Sequence, residues 1–130
     1  LFATLDTKIS RVYLKNNLSV GLIDTVGFIN NIPTQLIESF KATLEEINES
    51  DYIINVVDIN DINFQSKINT TKKILKETGV SNHKIKNMIT VFNKIELQNK
   101  TFNNSNVRSY VSALTGYGLD QLKKQMTKSI

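Results

Sequence analysis

Residues 52–58 read Tyr-Ile-Ile-Asn-Val-Val-Asp, a nearly continuous apolar run that ends in an aspartate. Because apolar residues occupy neighbouring positions instead of alternating with polar ones, the run is typical of a strand covered on both faces. Residues 87–93 form a second run of this kind, and residues 107–112, which mix apolar and polar residues, are interpreted as a third strand. The sequence therefore predicts three buried strands, and in parallel sheets ligands bind beyond the carboxyl ends of the strands.

Stretches with the spacing of amphipathic helices separate these strands. Apolar residues recur at helical intervals between residues 32 and 47, between residues 64 and 75, and from residue 119 to the end of the chain. Near the start, two short β-rich runs at residues 12–14 and 19–24 flank a polar turn, which predicts a hairpin. This order predicts an α/β fold: a mostly parallel sheet with one antiparallel hairpin strand and helices on both faces.

The composition limits the class of protein. A chain of 130 residues is long enough for one domain with a single core. It has no cysteine and one histidine, His83, which excludes disulfides, thiol nucleophiles and zinc sites built from cysteine or from several histidines. No apolar run is long enough to cross a bilayer, so we expect no membrane span. The net charge of +4 comes from scattered lysines, which is typical of a solvated surface, and we expect no DNA binding.

An acidic residue and a glycine stand at the end of the predicted hairpin, in Asp24-Thr25-Val26-Gly27. A carboxylate there can hold magnesium through water, and a glycine three positions later lets its backbone N–H approach a terminal phosphate. The same four residues also fit a strand end followed by a turn that needs a glycine. The motif alone leaves both interpretations open.

Polar motifs also follow the second and third buried strands. Asn93-Lys94-Ile95-Glu96 combines an asparagine, a lysine whose aliphatic stem can lie along a purine, and a carboxylate that can accept from the ring N–H and amine of guanine. Ser112-Ala113-Leu114 offers small residues whose backbone N–H groups can reach a carbonyl oxygen of a base. Each motif alone also fits an ordinary polar turn. Three such motifs in order, each at the carboxyl end of a predicted strand, together predict a guanine-nucleotide domain.

Four stretches of the sequence are more specific than these general motifs. They read LFATLD at residues 1–6, DTVGFI at 24–29, SFKATLEE at 39–46 and SALTGYGL at 112–119. Together they closely resemble the GTPase domain of HflX proteins, over nearly the whole chain. The resemblance implies the P-loop NTPase fold in its Ras-like form, and a translation-factor-class GTPase that binds GTP or GDP with Mg2+. It also implies that the partner is the large ribosomal subunit with its rRNA, and that the protein separates or rescues stalled ribosomes.

The same resemblance implies roles for individual positions. On the phosphate side, Thr4 would contact magnesium and the γ-phosphate, Asp24 would hold magnesium, and Gly27, in the segment with Thr25 and Val26, would contact the phosphate. Phe28 occupies the position where other GTPases carry the glutamine that orients water, and a phenyl ring cannot orient water by hydrogen bonding, so we expect slow intrinsic hydrolysis. Phe28 also fits a plain hydrophobic anchor for the segment that follows, and both interpretations can hold. On the base side, the implied positions are Asn93, Lys94 and Glu96, which would face guanine, and Ser112, Ala113 and Leu114, which would close the pocket.

Two departures from the family pattern concern the nucleotide site. The sequence has no G-x-x-x-x-G-K-[ST] phosphate loop, which in this family lies upstream of the position of Leu1, together with the first core strand and helix. We therefore expect residues 1–130 to be a single GTPase domain that lacks this N-terminal segment, and to bind GTP poorly on their own. Glu96 stands where the family usually has aspartate, and its extra methylene leaves guanine specificity open.

Two other functions stay open at this point. Glu96, Phe28 and the absent phosphate loop favour a binding module that keeps the fold but has weak or no turnover. A related GTPase of ribosome assembly fits the same motifs. The expected compartment is the cytoplasm, or a mitochondrion or plastid if a targeting segment precedes these residues.

Overall fold

The computed structural model describes residues 8–25, 37–98 and 108–130. Within these ranges, strands and helices alternate in the order of an α/β protein. A two-stranded antiparallel hairpin comes first, and a three-stranded parallel sheet with crossover helices follows. In chain order the elements are β1 (Lys8–Tyr13), β2 (Ser19–Asp24), α1 (Ile37–Glu49), β3 (Ile54–Asp58), α2 (Phe64–Glu77), α3 (Asn82–Lys86), β4 (Ile89–Asn93), a 3-10 turn (Ile95–Leu97), β5 (Arg108–Tyr110) and α4 (Leu119–Ser129).

The predicted hairpin is confirmed, with β1 and β2 antiparallel and Lys8 opposite Asp24. Its turn contains Asn16 and Asn17 at φ 60° and 58°, a left-handed conformation that asparagine adopts more readily than most residues. β1 begins at Lys8 rather than at residue 12. The reason is that the first four residues of the strand are exposed, so they lack the apolar signal by which a strand is recognised in a sequence.

The three buried runs form the predicted parallel sheet, in the order β3-β4-β5. The register places Asp58 beside Asn93, so β3 and β4 end at the same level. β5 is shorter than the run at residues 107–112 and ends at Tyr110, since the chain turns after it. The backbone N–H of Val111 still donates to the Phe92 carbonyl oxygen at 2.8 Å, which keeps the start of this turn attached to β4.

Helices cover both faces of this sheet, as predicted. On one face α2 packs against β3 and β4 and α1 packs beside α2, and the buried residues of this layer are Ile47, Val57, Ile68, Leu75, Val80, Met88 and Phe92. On the other face, α4 packs through Leu122 and Met126 against Ile89, Val91 and Val111. Side chains along β4 therefore alternate between the two layers, which explains its nearly continuous apolar sequence.

Two further features concern the helices. The helical spacing from residue 32 predicts an earlier start than Ile37, but residues 32–36 lie outside the described part of the chain. The short helix α3 was not predicted, and it begins at a cap in which Ser81 Oγ accepts from the Lys84 N–H at 3.2 Å. Among the helices of the described ranges, none combines the length and apolar character that crossing a membrane requires.

Candidate functional site

Three loops meet where the parallel strands end. Because Asp58 lies beside Asn93 and Phe92 beside Tyr110, the chain leaves all three strands at one edge of the sheet. We call residues 58–63 the aspartate loop, and residues 93–98 and 111–118 the two base loops. The sequence predicted candidate residues at this edge, and the structure brings those of the two base loops together.

Direct hydrogen bonds join the two base loops. The backbone N–H of Ala113 donates to Asn93 Oδ1 at 2.9 Å, and Ser112 Oγ donates to Glu96 Oε1 at 3.1 Å. The N–H of Ile95 adds a longer bond of 3.3 Å to the Val111 carbonyl oxygen. The Ser112 residue is 1% exposed, so its hydroxyl anchors the exposed Glu96 side chain from the interior. The sequence-predicted residues Asn93, Glu96, Ser112 and Ala113 thus form one connected group.

The second base loop is fixed internally around Ser112. Its hydroxyl accepts from the Thr115 N–H at 3.1 Å. Its backbone N–H donates to the Tyr117 carbonyl oxygen at 3.0 Å, and its own carbonyl oxygen accepts from the Gly116 N–H at 2.8 Å. Gly118 closes the loop at φ +79°, and a Cβ at this position would lie 2.3 Å from the Tyr110 carbonyl oxygen. A glycine is therefore required here, both for the left-handed conformation and for the close approach of two backbones.

Lys94 and Leu114 are two exposed residues among the predicted base-side positions. Lys94 adopts φ 66° and ψ 33°, a left-handed conformation that is uncommon for a residue with a Cβ. Its Nζ lies 3.1 Å from Asp58 Oδ2, with the lysine side chain 53% exposed. Leu114 is 83% exposed, so its side chain is available at the surface of the second base loop.

The aspartate loop contributes two residues that the sequence analysis did not identify. Asp58 Oδ1 accepts from the Asn60 backbone N–H at 2.9 Å and from Asn60 Nδ2 at 3.2 Å. Asn60 Nδ2 also donates to the Lys94 carbonyl oxygen at 3.1 Å, and Gln98 Nε2 donates to Asn60 Oδ1. The Asn60 backbone N–H, followed by the contacts from Lys94 and the Asn60 side chain, lowers the pKa of Asp58 from its ordinary value of 3.8. The available signal was an acidic residue at the end of a buried strand, at the same edge as Asn93.

The predicted phosphate-side residues lie mostly outside the described part of the chain. Thr4, Val26, Gly27 and Phe28 fall outside it, whereas Asp24 is exposed at the end of β2 and Thr25 is half-buried after it. Asp24 belongs to the hairpin and the base loops belong to the parallel sheet, so they lie in different sheets.

The described ranges contain no group of three or more histidine, cysteine or acidic side chains that could hold a metal ion. Asp24 offers one carboxylate. A single carboxylate suits magnesium, which keeps several waters and takes its remaining ligands from phosphate oxygens. The Asp24 carboxylate therefore fits a nucleotide-bound magnesium.

Comparison with known proteins identifies the family. A family model described as "50S ribosome-binding GTPase" matches residues 1–94. GTPase HflX of Flavobacterium psychrophilum is 48% identical over 96 residues, which cover 74% of this chain and 22% of that protein. GTPase HflX of Caldanaerobacter subterraneus is 35% identical over 130 residues, covering 100% of this chain and 30% of that protein. The chain thus spans less than a third of the length of either relative.

A solved structure shares the fold. The crystal structure of a mutation variant of SsGBP has a TM-score of 0.74 and 26% sequence identity, and the match covers 93% of this chain and 45% of that one. The agreement confirms the predicted fold class, with its parallel sheet, antiparallel hairpin and helices. The resemblance to HflX proteins is likewise confirmed, and the chain belongs to the family of 50S ribosome-binding GTPases.

Proposed function

We propose that the protein binds guanine nucleotides, hydrolyses GTP with the help of Mg2+, and acts as an HflX-like switch on the large ribosomal subunit. The observation that carries this proposal is the connected group of Asn93, Glu96, Ser112 and Ala113 at the carboxyl edge of the parallel sheet. The group presents the carboxylate of Glu96, which can accept from the donors of a guanine base, and hydrogen bonds between protein groups hold Glu96 and Asn93 in place.

The chemistry of Glu96 supports guanine as the base. Guanine presents a ring N–H and an exocyclic amine side by side, and a carboxylate accepts from both, whereas adenine does not offer this donor pair. Glutamate has one methylene more than aspartate, so its carboxylate has more freedom to miss the base. The bond from Ser112 Oγ to Oε1 restrains that freedom, and it leaves Oε2 and a second lone pair on Oε1 as acceptors for the two donors of the base.

On the phosphate side, we propose that Asp24 holds Mg2+ together with Thr4, and that Gly27 contacts the γ-phosphate. When bound, the cation neutralises charge on the β- and γ-phosphate oxygens. Phe28 offers no hydrogen bond to water, so hydrolysis proceeds slowly until a partner or a rearrangement supplies the missing group. We further propose that a phosphate loop outside these 130 residues completes the domain, since the sequence contains no G-x-x-x-x-G-K-[ST] motif.

The ribosomal partner is proposed from the family alone. The matching family is described as ribosome-binding, and several relatives carry the name GTPase HflX. We expect the full-length protein to sediment with large ribosomal subunits in the presence of a non-hydrolysable GTP analogue, and not to do so with GDP. The compartment stays a prediction: cytoplasm, or mitochondrion or plastid if a targeting segment precedes the chain.

The experiment that tests guanine binding is calorimetric titration of the full-length protein with GDP, a GTP analogue and an ATP analogue in the presence of Mg2+. We expect the guanine nucleotides to bind much more tightly than the ATP analogue. Comparable affinities would show that Glu96 does not discriminate between the bases. No binding of any nucleotide would refute the proposal in favour of a binding module without turnover.

A variant pair assigns the binding to the site. Glu96→Gln replaces an acceptor oxygen with an amide that faces the donors of guanine. We expect it to weaken GDP binding at least about tenfold, because hydrogen bonds to charged groups contribute about 1.5–3 kcal/mol. Glu77→Gln makes the same change at the exposed end of α2 and serves as the control. Equal GDP affinities of the two variants would place the base elsewhere.

A further inference from the structure

We propose that Asp58 and Asn60 are positioning residues for the base site, which hold Lys94 in the conformation that nucleotide binding requires. This inference rests on the proposed function, because it concerns the same site. It goes beyond the sequence motifs, since neither residue belongs to the segments that predicted guanine binding.

The backbone of Lys94 is the first reason. A left-handed residue with a Cβ is unfavourable compared with ordinary helical or extended conformations, so neighbouring contacts must stabilise it. Two hydrogen bonds end on the Lys94 carbonyl oxygen: the Leu97 N–H donates at 3.2 Å, and Asn60 Nδ2 donates at 3.1 Å. The first lies within the base loop itself, and the second comes from the aspartate loop. Asn60 therefore restrains this turn from outside.

The side chain of Lys94 is the second reason. Asp58 uses its two carboxylate oxygens for different partners: Oδ1 accepts from Asn60, and Oδ2 faces the Lys94 ammonium at 3.1 Å. The two bonds from Asn60 fix the orientation of the carboxylate, and so fix where the ammonium can lie. With its end anchored at Asp58, the aliphatic stem of Lys94 is restrained, and this stem is the part that lies along a purine ring.

The aspartate loop can do this because it is itself held. The backbone N–H of Ile59 donates to the Asn93 carbonyl oxygen at 3.2 Å, and Gln98 donates to the Asn60 side chain. Ile59 also packs against the cluster of Val57, Ile68 and Phe92. The loop thus connects the rigid core of the sheet to both ends of the first base loop.

The test compares two aspartates of the same loop. Asp58→Asn keeps an oxygen for the Asn60 N–H but turns an amide toward Lys94. Asp61→Asn makes the same change three residues later, where the carboxylate pairs with Lys67 and accepts from the Asn63 N–H at 2.8 Å. We expect Asp58→Asn to weaken GDP binding by the full-length protein about threefold to fivefold, the upper range for a partly exposed ion pair. We expect Asp61→Asn to bind GDP as the wild type does.

A double-mutant cycle separates positioning from a general structural effect. Lys94→Met keeps the aliphatic stem and removes the charge. If Asp58 acts through the ammonium, Asp58→Asn has no further effect on GDP affinity in the Lys94→Met background. A loss of equal size in both backgrounds would overturn the proposed positioning by Asp58, because the defect would then not pass through Lys94.

A second pair keeps the inference testable if Asp58→Asn does not fold. Asn60→Ala removes the bond to the Lys94 carbonyl oxygen, whereas Asn63→Ala changes a residue of the same loop whose side chain makes no capping hydrogen bond. We expect weaker GDP binding only for Asn60→Ala, and equal affinities would overturn the inference. If the wild type itself binds no guanine nucleotide, the proposed function fails. If the wild type binds GDP, but the two variants within each pair have equal GDP affinities, only this inference fails.

Discussion

Alanine at position 118 is expected to lower the free energy of unfolding by about 2–5 kcal/mol, as the sum of two effects. Gly118 lies at φ +79°, and the left-handed conformation costs roughly 1–2 kcal/mol for a residue with a Cβ. The new Cβ would lie 2.3 Å from the Tyr110 carbonyl oxygen and 3.3 Å from Val111 Cα. Because these are backbone atoms, the end of β5 must move, and such overpacking typically costs about 1–3 kcal/mol.

Gly116 provides the matched control within the same loop. It has a similar backbone conformation, φ +84°, but a Cβ there would meet nothing within 4 Å. Alanine at this position is therefore expected to cost only the conformational part, roughly 1–2 kcal/mol. Urea unfolding of the two full-length variants isolates the effect of the close approach, provided that the free energy of unfolding depends equally steeply on urea concentration in both. Equal losses of stability for Gly118→Ala and Gly116→Ala would refute the reasoning from the Tyr110 contact.

Two further predictions concern polar contacts at this edge. Ser112→Ala removes a buried hydroxyl that donates to Glu96 and accepts from the Thr115 N–H. We expect the free energy of unfolding in urea to fall by about 1–3 kcal/mol, and calorimetry to show weaker GDP binding. Unchanged GDP affinity would contradict the role given to this hydroxyl. The side chain of Lys67 and then the Asn63 N–H lower the pKa of Asp61 below its ordinary value of 3.8, so its contribution to stability is present above pH 3.8 and is lost as the pH falls through the lowered pKa. The thermal midpoint of the wild type should therefore exceed that of Asp61→Asn at pH 5 and approach it below that lowered pKa, and a constant difference down to that pH would contradict the assignment.

The buried strands and the helices on both faces were predictable because burial imposes a pattern on the sequence. The residues on both sides of β4, such as Val91 on one and Phe92 on the other, must be apolar, since helices cover both faces of the sheet. The start of β1 was not predictable in this way, because Lys8 and its neighbours are exposed and burial does not restrict them. The short helix α3 depends on one capping hydroxyl, at Ser81, and a single serine is a weak signal.

In the candidate site, too, the sequence indicated some residues and not others. Asn93, Glu96 and Ser112 could be proposed as candidates from the sequence, because a base would require particular donors and acceptors at fixed spacing after a strand. Asp58 and Asn60 could not, because their partner is 34 to 36 positions away in the chain and the contact forms only when β3 and β4 pair in register. The left-handed turn at Lys94 adds to the difficulty, since lysine gives no local signal for that conformation.

The contacts among the loops bear on how affinity and turnover are divided in the proposed GTPase. The base loops and the aspartate loop are held by hydrogen bonds between protein groups, so a nucleotide base need order few of them, and less of its binding energy is lost to that ordering. These loops belong to the parallel sheet, whereas Asp24 ends a hairpin in a different sheet. Changes at Asp58, Asn60 or Ser112 should therefore act on the affinity for the base and on its selection. The rate of hydrolysis of a bound nucleotide should depend instead on the segment that follows Asp24.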